Sequence, residues 1–71
     1  MKRNEILKKT RIGFQNAIEF SSSDVNSTFG WYVTMKIFGE YIDEDCDQLI
    51  KAYLDGKLTA EEGLRRVNEM I

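Results

Sequence analysis

Between Asp43 and Glu62 the sequence spells out two helix starts and the turn that separates them, and this limits the fold more than any other feature. Asp43 is suited to cap a helix, and Glu44, Asp45 and Asp47 follow in its first turn, where carboxylates meet the positive end of the helix dipole. Cys46, Leu49, Ile50, Tyr53 and Leu54 then recur at helical spacing as one apolar face over 44–54. Gly56 falls where a left-handed residue closes a helix. Thr59-Ala-Glu-Glu62 reads as a capping box, with Leu64, Val67 and Ile71, and Met70 alongside, as the apolar positions of a last helix over 60–70. Two helices joined by Asp55-Gly-Lys-Leu-Thr59 are expected to form an antiparallel pair.

A chain of 71 residues makes one domain at most, here taken as 1–71, and such a domain has little apolar surface to spare. Folds of this size usually rely on disulfides, a metal or a partner chain. Cys46 is the only cysteine and there is no histidine, so neither an intrachain disulfide nor a zinc site of the usual kind is available. Partner binding, self-association or close packing must supply the margin. A lone thiol fits a reducing compartment, and the charged start MKRNEILKKTRIG holds no run suited to a signal peptide or a membrane span. A cytoplasmic protein is expected.

The rest of the chain lacks proline, so helix breaks must come from glycine and from Ser, Asp or Thr caps. Residues 2–20 read as an amphipathic helix with Ile6, Leu7, Thr10, Phe14, Ala17 and Ile18 at spacings of three or four. Gly13 weakens it by about 1 kcal/mol relative to alanine. Ser21, Ser22 and Ser23 end it and offer caps for the next segment. Residues 25–42 are ambiguous. Val25, Phe29, Val33, Ile37 and Tyr41 sit four apart, which supports a helix over 26–38. Yet Phe29, Trp31, Val33, Met35 and Ile37 alternate as a strand would, and the aromatic and β-branched content suits one. No second segment is visible to pair with such a strand. The expected fold is therefore a small all-α bundle of three or four helices, with an α+β arrangement, 28–38 as a strand, as the alternative.

The chemistry on offer is sparse. Asp43, Asp45 and Asp47 echo a calcium loop, but its sixth and twelfth positions hold Gln48 and Leu54 instead of Gly and Glu. Cys46 has no histidine as a base and lies on an apolar face, which makes it a buried structural thiol. Neither a phosphate loop nor a catalytic constellation is present, and no enzyme activity or cofactor is expected. Net charge is −2, distributed as +3 over residues 1–20, −5 over 21–50 and zero over 51–71. The acidic block opposes wrapping by nucleic acid. Lys8, Lys9 and Arg11, with Lys2 and Arg3, could still meet phosphate, although aromatics are not interleaved with them as on a single-strand platform. Trp31, Tyr32, Phe38 and Tyr41 suit either a core or an interface hot spot.

Within Thr34–Leu64, Thr34-Met-Lys-Ile-Phe38-Gly39 ends an apolar segment, Gly39 and Gly56 bracket the next helix, and YLDGKLTAEEGL makes a Gly turn into the last one. This resembles the VbhA-like antitoxins that partner Fic-domain AMP-transferases, whose motif is Ser or Thr, three residues, Glu, then Gly or Asn. The resemblance covers roughly 30 of the residues and implies a non-enzymatic inhibitor that occupies a partner's surface or active site. In that family the motif Glu pairs with an arginine of the toxin's nucleotide site and obstructs placement of the ATP γ-phosphate. Here Phe38 stands in that place, and a phenyl ring has no charge to pair. Glu40 lies about 200° further round a helix and is no simple substitute. The resemblance makes Thr34, Phe38 and Gly39 the motif positions, with Trp31 and Tyr41 as candidate anchors, and a Fic-domain toxin as the possible partner. Two alternatives stand beside it. One is a nucleic-acid accessory factor using Lys8, Lys9 and Arg11, and the other a self-associating protein with the aromatic segment as its seam.

Overall fold

Local signals close the helices where the sequence places them. The computed structural model describes residues 2–20 and 28–71, and among these the secondary structure is helical throughout. Helix α1 spans Arg3–Glu19, α2 Gly30–Ile37, α3 Glu44–Leu54 and α4 Ala60–Met70. The chain is an all-α bundle. Ser21, Ser22, Ser23 and Val25 lie outside the described residues.

The caps carry the boundaries. Asp43 accepts from the Cys46 backbone N–H at the start of α3, and Thr59 Oγ1 accepts from that of Glu62 at the start of α4. The Glu62 carboxylate turns outward to Arg65 and Arg66, where the capping box predicts a bond back to Thr59. Both α2 and α3 end in Schellman motifs. Gly39, at φ +68°, donates to Lys36 O while Glu40 N–H reaches Met35 O. Gly56, at φ +76°, donates to Tyr53 O while Lys57 N–H reaches Ala52 O.

The segment that could have been a strand is helical, and its face differs from the expected one. Burial falls on Phe29, Tyr32 and Met35, spaced three apart, so that among the described residues of the row spaced four apart only Phe29 is buried. Ile37 and Tyr41 of that row are exposed, and Val33 is only half-buried. The helix is also shorter than 26–38: it runs from Gly30 to Ile37, with 26 and 27 outside the described residues. An eight-residue helix shows barely two turns, too few for spacings of three and four to be told apart from the pattern alone.

Helix α1 presents Ile6, Leu7, Thr10, Phe14 and Ala17 to the core, and the Thr10 hydroxyl donates to Ile6 O at 2.7 Å. The most extensive helix contact is α1 with α4, from opposite ends of the chain, while α3 touches both. The pairing expected between α3 and α4 is thus the lesser of α4's contacts. At the centre, Phe14 and Phe29 meet edge-on with centroids 5.1 Å apart, and Tyr53 packs on both rings at 5.4 and 5.6 Å.

Candidate protein-binding face

Helix α2 is fastened along one side and bare along the other. On the fastened side, the buried Tyr32 donates its hydroxyl to Asp47 of α3 at 2.6 Å, and Lys36 Nζ lies 3.3 Å from the same carboxylate oxygen. Burial, then the bond to Asp47, hold the Tyr32 phenol well above its ordinary range, so it stays a donor. Neither contact has a local sequence signal, because the partners are eleven and fifteen residues apart across a turn.

The bare side is apolar. Ile37, Phe38 and Tyr41 are 74%, 75% and 65% exposed, three large side chains within five residues. Isolated exposed apolar residues are common, whereas three so close along the chain make a candidate interaction surface. The Gly39 turn fixes the group's place: it halts α2 just after Phe38 and redirects the chain through Tyr41 to the Asp43 cap. At about 100° per residue, Trp31, Thr34 and Phe38 share one face of α2, and Ile37 lies on the adjoining face. Thr34 is exposed there. Of the motif positions, Thr34 and Phe38 therefore share one ridge, and Gly39 forms the turn that ends it. Trp31 is half-buried against Phe29 and Tyr32, with the Lys9 ammonium 5.7 Å from its ring, so it supports the ridge more than it protrudes from it.

Beside the ridge, α2 and α3 enclose a groove of about 430 Å³. Its apolar lining comes from Val33, Ile37 and Leu54, and its charged rim from Lys36, Asp47, Lys51 and Asp55. A larger groove of about 610 Å³ runs between α3 and α4, but its charged side chains are already engaged. Asp45 meets Arg3, Arg66 meets Glu62, and Glu69 meets Arg65. The smaller groove shares Ile37 with the exposed apolar group and has uncommitted charge at Lys51 and Asp55, which favours it as the site.

The basic residues of α1 do not gather in one strip. Lys8 and Arg11 share a face by their spacing of three, whereas Lys9 lies about 100° from Lys8 and leans on Trp31. Arg3 is committed elsewhere: Nε donates to the Asp43 cap at 2.8 Å and a second nitrogen lies 3.5 Å from Asp45. This clasp holds α1 to the start of α3, and its partners are forty residues apart in sequence. Cys46 is fully buried, and burial pushes its thiol up and away from the reactive thiolate form. No group of three or more His, Cys, Asp or Glu side chains among the described residues could hold a metal ion. Nor is any helix among them long and apolar enough to cross a membrane.

The chain matches no family model, and neither curated proteins nor solved structures give a match.

Proposed function

We propose that this chain is a non-enzymatic protein-binding module, an antitoxin-like inhibitor that acts by covering a partner protein's surface or active site. The observation that supports this reading is the exposure of Ile37, Phe38 and Tyr41 beside an apolar groove, in a chain too small to leave such side chains unused. Phe38 and Tyr41 are the anchors, because aromatic side chains that enter a partner's pocket carry a disproportionate share of binding energy. Thr34 sits on the same ridge, and Gly39 sets the turn that presents it. A Fic-domain AMP-transferase is the partner that the resemblance of Thr34–Leu64 implies. Without the family's carboxylate, inhibition would come from bulk at Phe38 rather than from pairing with an arginine.

The test is a tagged pull-down from the native cell, run in parallel with Phe38→Ala/Tyr41→Ala. The expected result is one protein recovered in stoichiometric amount by the wild type and lost in the variant. Equal recovery by both would remove this face from the function. Where the recovered protein is a Fic-domain enzyme, Phe38→Glu should strengthen inhibition of its AMP transfer by restoring the motif carboxylate.

A further inference from the structure

We infer that the face made by the α2 ridge and the α2–α3 groove is self-complementary, and that the free protein is a two-fold homodimer built on it. The dimer uses the same side chains as the proposed partner site, but its formation is a property of the purified chain alone.

Three observations converge on a second copy. The first is the contiguity of knob and hole. Ile37 lines the groove and also begins the exposed run that continues through Phe38 to Tyr41. A two-fold axis close to Ile37 lets the ridge of each copy enter the groove of the other, which is the closed, isologous geometry that most homodimers adopt.

The second is charge. Along the α3 edge of the groove, Asp47, Lys51 and Asp55 alternate in sign at a spacing of four. Asp47 is satisfied at home by Tyr32 and Lys36. Lys51 and Asp55 have no ion-pair partner among the described residues. Two α3 edges laid antiparallel, displaced by one turn, set each Lys51 against the other copy's Asp55. A rim of balanced, alternating sign fits its own two-fold image and offers little to a strongly acidic or strongly basic partner.

The third is area. A stable interface removes about 800 Å² per partner. Ile37, Phe38 and Tyr41 at their observed exposure supply about 400 Å² of this. The groove walls and the stems of Lys36 and Lys51 lie around them and enlarge the patch toward the area of the smaller specific interfaces. A 71-residue chain whose single cysteine allows no internal disulfide is also of the size at which oligomerisation commonly completes the fold's stability.

Sedimentation equilibrium of the purified full chain over a concentration series tests the proposal. The expected result is a reversible monomer–dimer equilibrium that Phe38→Glu abolishes, with helical circular dichroism unchanged. Lys51→Asp and Asp55→Lys should each raise the dimer dissociation constant about tenfold, since each sets like charges together twice across the axis. An equimolar mixture of these two variants should regain the wild-type affinity, because every contact across the axis is then of opposite sign. That rescue cannot come from a variant that merely misfolds. A chain that stays monomeric to about 1 mM, association that grows past the dimer, or a mixture no tighter than its components would each overturn the proposal. A dimer found without any heterologous partner would leave the partner-binding reading to its own pull-down.

Discussion

Tyr32 bears two duties that are usually divided between residues. Its ring is buried next to Trp31, and its hydroxyl donates to the Asp47 carboxylate, so it fastens α2 to α3 by packing and by a charge-assisted bond together. Removing only the hydroxyl, in Tyr32→Phe, should cost about 1–2 kcal/mol at neutral pH, as expected for a lost hydrogen bond to an ionised acceptor at a partly wet site. The pH dependence has a definite sign. The folded phenol titrates above its ordinary value, so its contribution is complete below about pH 10, where both states hold the proton. Above that, the unfolded chain releases the proton first, and stability is lost at up to about 1.4 kcal/mol per pH unit. The advantage of wild type over Tyr32→Phe should therefore narrow from about pH 10 upward. Urea denaturation of both proteins across that range measures it. An advantage that grew with pH would mean that the phenol is not the donor.

The helices owe their ends to backbone conformations that the sequence announces. Gly56 at φ +76° closes α3 with both Schellman bonds, and nothing lies within 4 Å of where a Cβ would be. In Gly56→Ala the only change is the strain of a left-handed alanine, about 1 kcal/mol. For a domain of this size that is a fall of about 4–8 °C in Tm, readable by thermal denaturation against a Lys57→Ala control that should barely move. The same local character makes Asp43, Gly56 and Thr59 legible in the sequence alone, as each acts within four residues of itself. The buried face of α3 is equally legible, because Cys46, Leu49 and Ile50, continued by the half-buried Tyr53 and Leu54, repeat at helical spacing along an eleven-residue helix. The features hidden from the sequence act across the chain. Spacing could not choose between two faces of an eight-residue α2, and the choice is made by Tyr32, which is buried and bonded to Asp47 of α3. Arg3 reads in sequence as one of several basic residues on a solvated face, and only tertiary structure puts it on Asp43. For the candidate site, Phe38 and Tyr41 are visible as aromatics that could serve core or interface. Phe38 continues the spacing of Phe29, Tyr32 and Met35, yet it is exposed because α2 ends at Ile37 and the Gly39 turn redirects the chain through Tyr41.

At the scale of the whole molecule, the contact between α1 and α4 closes the chain, and glycines make its fit possible. Gly63 sits inside α4, where its flexibility costs about 1 kcal/mol relative to alanine, and on propensity alone Gly63→Ala should stabilise. A Cβ there, however, would stand 2.5 Å from Phe14 Cε1 and 2.6 Å from Cζ. The Phe14 ring has no room to yield, being fully buried with Phe29 and Tyr53 against it. Gly13 repeats the device toward Phe29, whose Cε1 would lie 2.6 Å from an added Cβ, which gives that helix-weakening residue its structural reason. Overpacking of this kind costs about 1–3 kcal/mol or more. Even after the gain in helix propensity, Gly63→Ala should lose about 1 kcal/mol of stability. The decisive measurement is the cycle with Phe14→Leu. That change alone leaves a cavity, and an alanine methyl at position 63 would then enter vacated space, so the double variant should be more stable than the sum of the single losses predicts. Strict additivity in denaturant titrations would mean that ring and glycine do not touch. A positive coupling would locate the closure of the fold in a ring of α1 seated against the bare backbone of α4.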